Sequence, residues 1–191
     1  MPEAAIIRRP PRPQPDDDRY PAGWFTWAEC DLLAEWARGK LILELGTYLG
    51  RSTVAMARTA KHVVTVDHFT GSPLENWYEQ PGDYLAQTRE NLHRYGVARS
   101  VTVIATDMLN LAGWLKPRAF DGVLVDGAHD FASVDRDSVL ALAAVRDYRG
   151  VVWDDFNDWW PDVLTAVKTV AWDYRTHVVP LAPGSKLVQL A

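Results

Sequence analysis

A chain of 191 residues, 48% hydrophobic and 24% charged, suits one ordinary globular domain with a sizeable core and is cramped for two. Its formal net charge of -5, with no basic block, argues against nucleic acid or an anionic membrane surface and points to a small, neutral or cationic partner. Cys30 is the single cysteine, which excludes an internal disulfide and a cysteine-based zinc site. The opening lacks the apolar core of a signal peptide and no run reaches the ~20 apolar residues of a membrane span, so a soluble, cytoplasmic protein is expected.

Residues 1–22, rich in Pro, Arg and Asp, read as a flexible arm ahead of a single domain over 23–191, or as a clamp that orders on a partner. Next comes "WFTWAECDLLAEWAR", an amphipathic helix with Thr26 as cap and Glu29 three residues later. From there short apolar runs (Leu41 to Leu45, His62 to Val66, Val101 to Ala105, Gly122 to Val125, Val151 to Trp153) alternate with helical patterns. The helical patterns are "STVAMARTA", "DYLAQTRENLHRYG", the short "MLNLAGWL", "SVDRDSVLALAAV" and "DVLTAVKTVA". Such alternation implies an α/β, doubly wound, mostly parallel sheet with helices on both faces. At the end, "THVVPL" and "SKLVQL" flank Ala182-Pro183-Gly184 and read as an antiparallel hairpin closing the sheet edge. Pairing of two chains through the leading helix and arm, a homodimer, is left open by the sequence.

Ligands of such sheets collect beyond the carboxyl ends of the strands. Five successive strands here finish in or just before acid: Glu44, Asp67, Asp107, Asp126, and the pair Asp154 and Asp155. In "LILELGTYLGRST", Gly46 and Gly50 fall on a strand-to-helix turn, where missing side chains let a ligand approach the backbone. Glu44 stands where a dinucleotide fingerprint has its first glycine, and a carboxylate there would repel a pyrophosphate at a cost of several kcal/mol. That disfavours a nicotinamide oxidoreductase; a cofactor with a cationic centre meets no such objection.

The pattern Glu44, Gly46, Gly50, with Asp67 ending "HVVTVD" and Asp107 in "VIATDM", resembles the class I S-adenosylmethionine-dependent methyltransferases. The resemblance spans roughly residues 40–190. It implies a Rossmann-like fold with Asp67 on the ribose hydroxyls and Asp107 and Met108 beside the adenine. Thr47, Ser52, His68 and Asp126 complete the cofactor set implied with Glu44, Gly46 and Gly50. Asp107 alone is equally well read as a helix cap, and His68 as a solvated loop residue.

"FDGVLVDGAHD" ends the fourth strand with Asp126 and has His129 three residues on, while "VVWDDF" supplies Asp154 and Asp155. Three carboxylates converging with no basic residue beside them in sequence suit Mg²⁺, or Mn²⁺ or Ca²⁺, better than zinc or copper. Here the resemblance narrows to metal-dependent O-methyltransferases. "DGAH" is similar to the macrolide-sugar type related to macrocin methyltransferase, more distantly to the catechol type, which carries a lysine at the His129 position. It implies Asp126, Asp154 and Asp155 as metal ligands and His129 as general base. His129 also reads as a group hydrogen-bonding a ligand carboxylate, and Asp154 as a solvent-facing or capping residue. The expected enzyme methylates a hydroxyl of a small molecule, a natural-product sugar ahead of a phenol. A non-catalytic S-adenosylmethionine-binding protein is the alternative. The long loop "HFTGSPLENWYEQPGD", with Trp77 and Tyr78, reads as a lid, and Trp159 and Trp160 sit beside the acceptor side.

Overall fold

The structure, a computed structural model, describes residues 12–71 and 83–191. The lid expected within 68–82 therefore lies, from residue 72 on, outside the described residues.

Chain order begins with α1 (Trp27–Ala37), β1 (Leu41–Leu45), α2 (Arg51–Ala57), β2 (His62–Asp67), α3 (Tyr84–Arg94), β3 (Val101–Ala105) and β4 (Gly122–Val125). It continues with α4 (Phe131–Ala144), β5 (Val151–Trp153), α5 (Pro161–Asp173), β6 (Val178–Pro180) and β7 (Val188–Leu190). The α1 start is built as its sequence requires: Thr26 accepts from the Glu29 amide while the Glu29 carboxylate accepts from the Thr26 amide, a reciprocal capping box. "MLNLAGWL" differs from expectation. Only Met108–Asn110 winds, as a 3₁₀ turn, with Asp107 accepting from the Leu109 amide, and Trp114 beyond it is exposed.

The seven strands run in the order β3-β2-β1-β4-β5-β7-β6, the first five parallel. β7 pairs antiparallel with both β5 and β6, so the second hairpin strand inserts next to the parallel sheet and the first forms the edge. Side-chain alternation sorts the core onto two faces. Leu43, Leu45, Val123, Val125, Val151 and Trp153 pack with α4 and α5, while Ile42, Leu124 and Val152 pack with α1 and α2. Among the described residues no helix is long and apolar enough to cross a membrane.

Strand order reverses between β1 and β4, and the parallel register aligns the residues just past the strand ends. Leu45 pairs with Val66 and with Val125, and Val125 with Trp153. Gly46, Asp67, Asp126 and Asp154 are thereby brought level on one rim at the topological switch point.

The arm expected to be flexible is, over its described part, held against the domain. Gln14 and Gly23 form an antiparallel bridge, and Tyr20 is 1% exposed. The Arg51 guanidinium, itself buried, donates to the carbonyls of Pro21 and Phe25, both at 2.6 Å. Arg94 pairs with Asp16, and the Tyr95 hydroxyl donates to the Asp17 carbonyl at 2.6 Å. A polar composition suggested disorder, but these polar groups find their partners on α2 and α3, far away in sequence.

Candidate active site

A cleft of about 600 Å³ opens over the switch point, walled by the Gly46 loop, the Asp126–His129 turn, the segment after β5, and the N-terminal residues Gly23 to Thr26. Gly46, Thr47, Ser52, Asp67, His68, Asp107, Met108, Asp126, His129, Asp154 and Asp155 all line it. Glu44 and Gly50 are not among the lining residues.

The position of Glu44 is set by strand alternation, which puts it on the face of Ile42, toward α2. There it is fully buried and its Oε2 accepts from the Thr53 hydroxyl at 2.5 Å, while Oε1 has no partner among the described residues. Burial pushes its carboxyl up to about 7, against the nearby hydroxyls of Ser52, Thr53 and Thr65 and with help from the charge of Asp67. Glu44 thus supports the loop from behind and does not line the cleft.

Of the two glycines of this turn, Gly46 lines the cleft and Gly50 does not. Gly50 takes a left-handed φ of 85° and caps α2. Gly46, at φ 99°, is indispensable for another reason: a Cβ there would fall 1.8 Å from the Asp126 carbonyl oxygen. The missing side chain lets the loops after β1 and β4 touch, which fixes the cleft floor.

Asp67 organises the first loop. Its Oδ2 accepts from the amides of Thr47 (2.8 Å) and Tyr48 (3.0 Å), and its Oδ1 from that of Phe69 (2.7 Å). An ionised carboxylate offers about four acceptor positions, so one remains for a ligand. His68 Nδ1 accepts from the Thr70 amide at 3.0 Å, which leaves the proton of the neutral ring on Nε2.

Beside the loop lies an acid cluster. The Nε2 of His129 is 2.8 Å from Asp155 Oδ2, and the ring stacks on Trp160 with centroids 4.0 Å apart and planes 13° apart. Lys186, on the turn between β6 and β7, reaches in: its Nζ donates to Asp154 Oδ2 at 2.8 Å and to Asp155 Oδ1 at 3.0 Å. Burial, then the charges of Asp154 and Asp155, push the Asp126 carboxyl well above the usual range. Burial and the neighbouring Asp155 likewise raise Asp154. Burial works against ionised Asp155 too, but the hydrogen bond to His129 and the Lys186 charge outweigh it and hold that carboxyl below the usual range. For Lys186 burial disfavours the charge, and the three carboxylates overcome it.

Asp126, His129 and Asp155 each offer one ligand atom, all within 4.8 Å of one another. Asp154, expected in the metal set, does not join that group: its Oδ2 is taken by Lys186, and its buried Oδ1 has no partner among the described residues. His129, expected as base or as a group hydrogen-bonding a ligand carboxylate, stands inside the group and meets Asp155 at 2.8 Å. A carboxylate-rich donor set with a surplus of negative charge suits a hard divalent cation, so the residues fit such an ion.

Three features escaped sequence reasoning. Lys186 lies 31 residues from Asp155 and reaches it only because β7 inserts beside β5. Asp137 is buried and faces the cleft with Arg136 Nε at 3.0 Å. An aromatic wall runs from Trp24 to Tyr48 (5.1 Å) and on to Tyr84 (5.5 Å).

A family model described as "Methyltransferase domain" matches residues 43–156, more than half of the chain. The fold and the switch-point site accordingly define a methyltransferase, and the chain belongs to this family. Among solved structures, the O-methyltransferase from Bacillus cereus in complex with SAH is similar at 19% identity, covering 87% of this chain and 80% of that one, with a TM-score of 0.60. The O-methyltransferase TomG of Streptomyces achromogenes, involved in tomaymycin synthesis and solved with SAM, is 20% identical over 87% of this chain and 79% of that one, at a TM-score of 0.62. A precorrin 8W decarboxylase from Methanobacterium thermoautotrophicum, at 16% identity, 87% and 83% coverage and a TM-score of 0.63, shares the same fold. No curated protein sequence matches the chain.

Proposed function

We propose that the protein is an S-adenosylmethionine-dependent O-methyltransferase that uses a divalent cation, Mg²⁺ foremost, to methylate a hydroxyl of a small molecule. The carrying observation is the joining, in one cleft, of the Gly46–Asp67 loop with the Asp126, His129 and Asp155 group. Structural neighbours with SAH or SAM in this fold support the choice of cofactor.

In this reading the remaining acceptor position of Asp67 takes a ribose hydroxyl, and Asp107 and Met108 border the adenine. Methyl transfer from a sulfonium is an in-line displacement: the acceptor oxygen forms a bond to the methyl carbon as the carbon–sulfur bond breaks, and the hydroxyl proton must leave. Asp126 and Asp155 would hold the cation, which supplies Lewis-acid stabilisation of the acceptor oxygen when bound. His129 takes the proton, and the carboxylate of Asp155 stabilises the imidazolium that results. Trp160 keeps the ring plane fixed, while Trp159 offers an aromatic wall suited to a sugar or a phenol. The acidic net charge supports a small acceptor over nucleic acid.

Incubation with S-adenosylmethionine, Mg²⁺ and a panel of hydroxylated sugars and phenols tests the reading. Methylation of an acceptor oxygen, abolished by EDTA and by Asp126→Ala, is expected. Transfer that persists with EDTA and in Asp126→Ala removes the metal from the mechanism.

A further inference from the structure

We propose that Lys186, held also by Asp154, competes with the divalent cation for Asp155, so that the C-terminal hairpin carries a tethered ammonium which sets how tightly the site takes metal. The inference rests on the metal-dependent reading above and adds a residue that acts on the affinity of the site.

The geometry is specific. Both oxygens of Asp155 are engaged, Oδ1 by Lys186 at 3.0 Å and Oδ2 by His129 at 2.8 Å. A cation held by Asp126 and Asp155 must take over oxygen density that Lys186 or His129 now uses. The ammonium is not a loose surface charge, because its side chain is 17% exposed and its Nζ lies 4.8 Å from the centre of the Phe25 ring. The backbone holds it there: the Phe156 amide donates to the Lys186 carbonyl at 3.1 Å, tying the hairpin turn to the segment after Asp155. The Leu187 amide donates to Ser185 Oγ at 3.0 Å and fixes the turn locally.

Charge explains why such a device is useful. Asp126, Asp154 and Asp155 carry three negative charges when ionised, and Lys186 returns one. Without it the carboxylates would face one another at the end of two buried strands. A +1 group beside an incoming +2 ion repels it across a few ångströms, which lowers metal affinity by at least about tenfold at an intermediate dielectric. Lys186 is therefore a charge-balancing residue and not a catalytic one. It keeps the acid cluster compatible with the fold at the expense of metal affinity.

The test is a titration of Mn²⁺, followed by electron paramagnetic resonance of the free ion, on the full chain without acceptor or cofactor. Wild type, Lys186→Met, Lys186→Gln and Lys186→Arg are compared, with melting temperatures in EDTA and in Mn²⁺. The neutral variants should bind Mn²⁺ at least about tenfold more tightly than wild type. They should also melt lower in EDTA and gain more from Mn²⁺, while the Arg variant stays close to wild type. Neutral variants that bind no more tightly than wild type, or an Arg variant that binds as tightly as they do, overturn the competition and leave the metal site standing. No Mn²⁺ binding by wild type or any variant overturns the metal reading, and the inference with it.

Discussion

The imidazole Nε2 of His129 lies 2.8 Å from Oδ2 of Asp155, although 26 residues separate them in the chain. The pairing of β4 with β5 brings them together, since Val125 and Trp153 are in register and each strand ends immediately before its part of the cluster. A carboxylate so placed orients the ring and stabilises its charged form. Asp155→Asn keeps the shape but removes that charge, and is expected to lower kcat about a hundredfold or more while leaving S-adenosylhomocysteine affinity within about twofold. Steady-state kinetics with a confirmed acceptor, alongside calorimetric binding of the product cofactor, provide the check.

Gly46→Ala tests the cleft floor. The added methyl would meet the Asp126 carbonyl at 1.8 Å from a backbone at φ 99°, so the loops after β1 and β4 must separate. Urea unfolding should show a loss of about 3 kcal/mol or more. A variant as stable as wild type would mean that the two loops do not touch.

Glu44 gives the fold a signed pH dependence. Its carboxyl is raised from the usual 4.5 to about 7, so between these values the folded protein binds a proton that the unfolded chain releases. Stability contributed by this group therefore falls as pH rises from about 4.5 to 7 and is level above that, a change of about 3 kcal/mol. Glu44→Gln cannot titrate, and its denaturation midpoints between pH 5 and 8, compared with wild type by urea titration at each pH, are expected to lose this slope.

Arg51 is the buried one of the cations that anchor the arm. Arg51→Met strips the donors from the carbonyls of Pro21 and Phe25, with an expected destabilisation of about 2 kcal/mol. Limited proteolysis should then cut within residues 12–23 faster than in wild type; an unchanged cleavage rate would show that the arm is held by other contacts.

Capping chemistry at Thr26 and Glu29 is local and was readable in the sequence, as were the strand runs, whose apolar alternation needs only neighbours. Asp126, His129 and Asp155 were readable because parallel pairing forces strand ends onto one rim. The orientation of Glu44 is legible too, since period-two alternation places it with Ile42, on the α2 face. Lys186 was out of reach. The same short β6 and β7 fit a hairpin appended in either order, and only insertion of β7 next to β5 carries the lysine to the aspartates. The anchoring of the arm was equally hidden, since its partners on α2 and α3 lie many residues away.

The proposed activity requires S-adenosylmethionine binding in the cleft over Gly46 and Asp67. Calorimetric titration of the wild-type chain with S-adenosylhomocysteine, and in parallel with NAD, addresses it most directly, with Asp67→Asn as the site control. Saturable binding of S-adenosylhomocysteine at one site per chain, weakened about tenfold or more in Asp67→Asn, is expected, with no NAD binding. Binding of NAD without S-adenosylhomocysteine, or S-adenosylhomocysteine binding indifferent to Asp67, would contradict it.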